Sequence, residues 1–323
     1  MSLKNIIGQD KALRILFGTL SRDRVPSAML FSGDMGIGKR LAALNFAKAV
    51  NCLGPVDYDC CDECVQWRKI DSGQHPDVAS IASEGDEIKI DTIRKVEEAF
   101  SFRALEGRKK VVILDDADAM NINAANAFLK TLEEPPPDSL ILLVSSNPDR
   151  LPATIRSRCV NVRFKPLPDS ECRELVSKNI KTGGADIACR LAMGRPGLAI
   201  SRDFLKENEW FMDVLDAMLR GETKSAWADK GEIKSWLDLS FVFLRDMAIA
   251  LEFGAGSPGL LMVPEQAQEK PTLRTGAAGL KTIVEAYQGL QRFYGLLDFN
   301  LNKAISWNYV AMIMQNLKIK TQN

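Results

Sequence analysis

Apolar residues are distributed along this chain in two regimes. Up to about Phe164, apolar runs of four or five residues alternate with longer stretches in which apolar positions recur every three or four residues. The runs Ala28 to Phe31, Val78 to Ile81, Val111 to Leu114, Leu140 to Val144 and Val160 to Phe164 predict strands. The stretches between them predict helices. Over Asp91 to Phe100, Ile93, Val96 and Phe100 fall on one face, and Asp91 stands where an N-cap is expected. Alternation of this kind implies a parallel sheet with helices on both faces.

The break Lys165-Pro166-Leu167-Pro168-Asp169 ends that pattern, and no further strand signal follows. A short helical block with apolar Leu175, Val176 and Ile180 leads to a Gly183-Gly184 turn, a second helix through Met193 and a Gly194-Arg195-Pro196-Gly197 break. From about Phe204 long helices run onward, interrupted near Gly254 to Pro264; the last carries Trp307, Val310, Met314 and Leu317 at helical spacing, read as core. The organisation expected is an α/β domain over 1–165, a small helical lid over 166–203 and an all-helical domain over 204–323. A chain of 323 residues exceeds one typical core, in keeping with two or three domains.

Charge and composition narrow the function classes. Lys+Arg 42 balances Asp+Glu 42, so the basic excess of a dedicated nucleic-acid clamp is missing, although a local patch within an assembly is compatible with it. No apolar run approaches the ~20 residues of a membrane span. Asp10, Lys11 and Arg14 interrupt any signal-like core after Met1, so a cytoplasmic protein without membrane contact is expected. In that compartment seven cysteines favour metal or free thiols over disulfides.

The most telling chemistry follows the first strand. Gly33-Asp34-Met35-Gly36-Ile37-Gly38-Lys39-Arg40 leads into helix-forming Leu41-Ala42-Ala43-Leu44, giving strand, glycine-rich turn and helix start. Gly33, Gly36 and Gly38 let backbone N–H groups face phosphate oxygens, and Lys39 would reach the β/γ-phosphates. The next position calls for a Ser or Thr hydroxyl to ligate Mg²⁺; here it is Arg40, which cannot ligate a cation. The strand Val111 to Leu114 ends in Asp115 and Asp116: the first acid would hold Mg²⁺ through water and the second would polarise an attacking water. Asp116 is one methylene shorter than the Glu usual in hydrolysing enzymes. Ser145-Ser146-Asn147 after the fourth strand offers a polar sensor. ATP binding is compatible with this set, and hydrolysis is not expected.

Two longer motifs carry a family resemblance. Asn126-Ala127-Phe128-Leu129-Lys130-Thr131-Leu132-Glu133-Glu134-Pro135-Pro136, followed by Leu151-Pro152-Ala153-Thr154-Ile155-Arg156-Ser157-Arg158-Cys159, resembles the AAA+ subunits of sliding-clamp loaders. Ile6-Ile7-Gly8-Gln9 resembles their adenine-side segment and Asn300-Leu301-Asn302 an element of their helical part. The resemblance covers residues 5 to about 200 densely and the remainder loosely. It implies a P-loop AAA+ domain, a lid, a C-terminal collar and a hetero-pentameric ring with gamma/tau and delta subunits. Through that assembly it implies the sliding clamp and primer-template DNA as partners, in DNA polymerase III replication. It also implies that Arg158 acts in trans, as an arginine finger on a neighbour's ATP, an effect of about 10³–10⁵ in rate. Hydrolysing loader subunits carry an Arg three residues after a lid glycine; here Gly197 occupies that place and Arg195 is out of phase. With Arg40, this points to a stator that lends its arginine and fires no ATP. The alternative is an active gamma-type ATPase, against which Arg40, Gly197 and the lack of a long extension after the third domain all speak. A AAA+ helicase or remodeller fits the Ser157-Arg158-Cys159 and Leu132-Glu133-Glu134-Pro135 motifs less well.

Cys52, Cys60, Cys61 and Cys64 lie within thirteen residues, close enough for structural Zn²⁺. Loader subunits show one Cys, eight residues, then Cys-x-x-Cys-x-x-Cys. Cys52, Cys61 and Cys64 match, and Trp67 holds the fourth place. Either Cys60 substitutes as fourth zinc ligand or the cluster is a set of free thiols; both readings stay open. Cys159, Cys172 and Cys189 are isolated and read as small buried apolar residues. His75, the only histidine, reads as a turn residue.

Overall fold

The computed structural model describes residues 1–82, 87–180, 185–222, 227–253, 279–297, 299 and 301–317. The expected Gly183-Gly184 turn, the loop near 254–264 and Asn300 lie outside them. Among the described residues no helix is long and apolar enough to cross a membrane. The chain divides into two compact units, Met1–Asn179 with Ala192–Leu198, and Ile180–Leu191 with Ala199–Asn323, so the span expected as a lid is shared between them.

The first unit is built on five parallel strands: β1 Ala28–Ser32, β2 Val78–Ile81, β3 Lys110–Leu114, β4 Ser139–Ser145 and β5 Val160–Arg163. Their order across the sheet is β2-β3-β4-β1-β5. β1 and β4 are buried along their whole length, which explains why they read as unbroken apolar runs rather than alternating ones. Their side chains divide between two faces. Met29, Phe31, Val111, Ile113, Leu140, Leu142 and Val144 pack with Leu16 of α1 (Asp10–Ser21) and Phe46 of α2 (Lys39–Val50). On the other face Ala28, Leu30, Val112, Leu114, Ile141 and Leu143 pack with Ile93, Val96 and Phe100 of α4 (Ile90–Phe100) and Phe128 and Leu132 of α5 (Ile122–Glu133). The small α3 (Val65–Asp71) precedes β2.

Asp91 is not the N-cap of α4. The helix starts one residue earlier at Ile90, with Lys89 as an N-cap that makes no side-chain bond, and Asp91 instead pairs with Arg94 within the first turn. Carboxylates favour a first turn through the helix dipole as well as through a capping bond, and here the former operates.

His75 is buried, with Nδ1 accepting from the Asp77 N–H and Nε2 bonded to Gln66 Oε1; it is neither exposed nor beside the glycine-rich loop. Asp77, 1% exposed, gathers the backbone N–H groups of Leu105, Glu106 and Gly107 and so ties the loop before β3 to the start of β2.

Helices α7 (Asp169–Asn179), α8 (Ala185–Ala192) and α9 (Pro196–Ser201) follow β5 in sequence, and the second unit is helical. α10 (Phe204–Leu219), α11 (Lys230–Phe253), α12 (Leu280–Gly295) and α13 (Lys303–Gln315) enclose a core of Phe211, Trp227, Trp236, Phe243, Leu290 and Trp307. Trp227 packs in tilted geometry, its ring centroid 5.8 Å from that of Trp236 and 5.1 Å from that of Trp307, and the Trp307 indole N–H donates to the Glu222 carbonyl. Trp307, Val310, Met314 and Leu317 are all buried, as their spacing predicts. Asn302 caps α13, accepting from the N–H groups of Ala304 and Ile305.

Asp77 yields a pH-dependent prediction. Burial opposes its ionisation, but the N–H donors of Glu106, Gly107 and Leu105 outweigh burial and hold its pKa below the ordinary value. A depressed carboxyl stabilises the fold above its unfolded value of ~3.9, and that stability is lost as pH falls through the native value. Asp77→Asn should cost about 1.5–3 kcal/mol at pH 7 in urea unfolding, and the deficit should shrink below about pH 4.

Candidate functional site

Because β4 lies between β1 and β3, the loops leaving these three strands emerge side by side at one edge of the sheet. Ser32 stands opposite Ser145, and Leu114 opposite Leu143. This is where open α/β sheets place ligands, beyond the carboxyl ends of their strands. The loop after β1 turns through Gly33, Gly36 and Gly38 at φ 141°, 81° and 93°, a backbone path that side chains rarely allow, and α2 begins at Lys39.

Lys39 is 5% exposed, and its Nζ donates to the carbonyls of Gly33 (2.6 Å) and Asp34 (2.7 Å) and to Ser146 Oγ (3.2 Å). Burial lowers its pKa, against the pull of Asp118, Asp115, Asp34 and Asp116. Ser146 thus joins the site as the sequence suggests. Asp118 joins it unforeseen: its Oδ1 accepts the Ser146 N–H at 3.0 Å and its charge faces Lys39. It is the third acid of Asp115-Asp116-Ala117-Asp118, and that run was the available signal. Asp116 sits in the left-handed region at φ 49°, its pKa raised first by burial, then by Asp115 and Asp118.

Arg40 makes the defining contact. Its Nε lies 3.5 Å from Asp115 Oδ2, so the residue standing where a hydroxyl would ligate Mg²⁺ pairs with the carboxylate that would hold the same ion. The lid-side departure has an equally direct cause. Gly197 N–H donates to the Gly36 carbonyl at 2.8 Å, and a Cβ at 197 would stand 2.9 Å from that oxygen. No side chain, arginine included, fits there while the backbone of 197 rests on the loop. Arg195 turns away, its Nε donating to the Ala192 carbonyl.

Arg158 stands apart from this loop, after the short α6 (Ala153–Arg156). Its guanidinium donates to the Thr154 carbonyl at 2.9 Å and pairs with Glu133 Oε1 at 2.6 Å, and its side chain is 35% exposed. Glu133, the last residue of α5, belongs to the quoted Leu132-Glu133-Glu134-Pro135 stretch, although its pairing was not foreseen.

The cysteines form a triad rather than a tetrad. Cys52, Cys61 and Cys64 bring their sulfurs within 4.8 Å of one another. Cys60 does not join them: its N–H is held by Asp59 Oδ1 (2.8 Å), and its Sγ faces Asp62 Oδ1 (3.3 Å). Burial pushes Cys52 up to about 11 and Cys60 up to about 12, whereas Cys61 is lowered, chiefly by the backbone N–H of Glu63. Cys172 and Cys189 are buried, and Cys159 is half-buried.

Sheet order, glycine loop and paired acids define a P-loop α/β domain of the AAA+ class followed by an all-α region. Residues 8–168 match the family model described as DNA polymerase III, delta subunit, and the chain belongs to that family. It is 40% identical over 159 residues to the DNA polymerase III subunit delta-prime of Bacillus subtilis, covering 49% of this chain and 48% of that one. Against subunit delta-prime of Pseudomonas aeruginosa it is 43% identical over 143 residues, covering 44% and 43%. It is also 32% identical over 226 residues to the tau subunit of Bacillus subtilis, covering 67% of this chain and 40% of the relative. The chain thus spans about half or less of the length of these relatives. Among solved structures, a DNA polymerase III gamma-subunit-related protein of Thermotoga maritima superposes with a TM-score of 0.47 at 20% identity, over 96% of this chain and 100% of that one.

If Arg40 displaces the ion that Asp115 would hold, Arg40→Thr should restore a hydroxyl and release Asp115. Mg²⁺-dependent ATP binding, followed by titration calorimetry with and without Mg²⁺, should then tighten by about tenfold or more, ~1.4 kcal/mol. Unchanged binding in the variant would remove Arg40 from the explanation.

Proposed function

We propose that this chain serves as the delta-prime type stator of the DNA polymerase III clamp loader, a cytoplasmic assembly that places the sliding clamp on primed DNA with ATP. The observation that carries the reading is the Arg40–Asp115 pair, which sets a protein cation where the chain's own loop would need a metal. Lys39 with Gly33, Gly36 and Gly38 remains able to cradle phosphate, so nucleotide binding without turnover is consistent with it. Its partners are the gamma/tau and delta subunits of a hetero-pentamer, and through them the clamp and primer-template DNA.

In this reading Arg158 works for a neighbour. A guanidinium held by one carbonyl and one carboxylate on a partly exposed surface is oriented without being locked. An exposed pair such as Arg158–Glu133 is worth about 0–1 kcal/mol, so exchanging Glu133 for a triphosphate costs little. There the guanidinium would offset charge developing on the transferring phosphoryl group.

The three thiolates of Cys52, Cys61 and Cys64 suit a structural zinc by donor type and spacing. Such an ion would cross-link the chain after α2 to the start of α3. It would supply stability and no chemistry.

The test is kinetic and uses the reconstituted assembly. Arg158→Ala should leave folding and pentamer formation intact while partly lowering the DNA- and clamp-stimulated ATPase, since only the site fed by this chain loses its finger and the other interfaces keep theirs. The isolated chain should turn over ATP negligibly, and Lys39→Ala should affect the assembly's rate much less than Arg158→Ala. If Lys39→Ala abolishes the ATPase and Arg158→Ala changes nothing, the roles are inverted and the chain is an active ATPase of the gamma type.

A further inference from the structure

Among the described residues the cysteine triad has no fourth protein ligand, for reasons built into its surroundings. Three sulfurs about 2.3 Å from one ion stand roughly 3.8–4.0 Å apart. Cys52 and Cys61 are 3.5 Å apart, and all three sulfurs lie within 4.8 Å of one another, so small shifts bring them around one cation. Two peptide groups already face the sulfurs: Cys61 N–H donates to Cys52 Sγ and Trp67 N–H to Cys64 Sγ, each at 3.3 Å. Such bonds favour the thiolate and orient it.

Trp67 stands at the next Cys-x-x spacing, and an indole offers a donor N–H with no lone pair for a metal. Its ring is held in place, with Lys48 Nζ 5.1 Å from the ring centroid and Lys48 itself 1% exposed and bonded to Asp71. Cys60 is equally unavailable. Asp59, which fixes the Cys60 N–H, also accepts the N–H groups of Leu3 and Lys4, and Asp62, which faces the Cys60 thiol, pairs with the N-terminal amine. Swinging Cys60 into the triad would break this anchor of the N-terminal segment. Cys61 and Cys64 are only half-buried, so a small molecule can reach the ion from outside.

We propose that Cys52, Cys61 and Cys64 form a three-sulfur site for a soft divalent cation whose fourth ligand is exogenous, a water or a small thiol. This deepens the zinc reading above and rests on it. The consequence is an exchangeable coordination position in place of the closed tetrahedron of a structural zinc site.

The experiment uses the full chain, stripped with a chelator and reloaded with Zn²⁺ alone in buffer free of small thiols, so that any fourth sulfur must come from the protein. X-ray absorption at the zinc edge should give three sulfurs and one oxygen or nitrogen at one ion per chain. Cys60→Ser should leave stoichiometry and affinity unchanged. Trp67→Cys should convert the shell to four sulfurs and tighten zinc, measured against a chromophoric chelator, by at least about tenfold. Four sulfurs in the unaltered chain, or a sulfur lost on Cys60→Ser, would show Cys60 recruited and overturn the open site while leaving a zinc site standing. Failure of the unaltered chain to bind Zn²⁺ would overturn both. The spectrum of the unaltered chain and of Cys60→Ser decides the matter even if Trp67→Cys does not fold.

Discussion

With β4 running parallel between β1 and β3, the chain delivers Gly33, Asp115 and Ser146 to one end of the sheet, although Gly33 and Ser146 are more than a hundred residues apart in sequence. Burial enforces that order. Strands covered on both faces carry no polar side that could slip to solvent, and a one-residue shift in register would exchange the two apolar sets, Met29 and Phe31 for Ala28 and Leu30. The site therefore inherits its geometry from the core, and changes within the loops alter its chemistry without moving its parts.

Two such changes set this chain's character, and magnitudes decide how they act. Arg40 is 65% exposed, so its pair with Asp115 contributes at most about 1 kcal/mol and is no lock in itself. Its effect is chemical: it removes a metal-ligating hydroxyl and supplies a fixed positive charge beside the carboxylate that would bind the ion. Gly197 acts sterically instead. A Cβ there would stand 2.9 Å from the Gly36 carbonyl oxygen, so the missing hydroxyl and the missing arginine arise by independent physical routes.

The strands were legible because buried parallel strands write themselves as apolar runs, and each predicted span matches the observed one within a residue at either end. The loop glycines were legible because only glycine tolerates those φ values. What could not be read was decided by distant contacts. The sequence marks Gly197 as a missing arginine but gives no reason for it; the backbone of Gly36, far earlier in the chain, stands against it. Glu133 becomes the partner of Arg158 only once α5 and α6 meet. Spacing matched Cys52, Cys61 and Cys64 and left open whether Cys60 fills the fourth place; the Cys60 N–H donating to Asp59 Oδ1 and its thiol facing Asp62 keep it out of the cluster.

The persistence of Lys39 in a loop without its metal-binding partner follows from the same packing. Its ammonium is buried and bonds two loop carbonyls and Ser146, which in turn is tied to Asp118. Removing it leaves those acceptors short of a charged donor in a nearly dry setting, a loss of the kind that costs about 1–3 kcal/mol. The lysine thus rivets the glycine loop to the end of β4, and Gly197 braces the loop from the other side. A loop held in this way keeps its phosphate-binding shape for structural reasons even where catalysis is not asked of it. For that reason a lysine substitution reads out as lost stability, whereas Arg158, bonded only at the surface, can be removed with little effect on the fold.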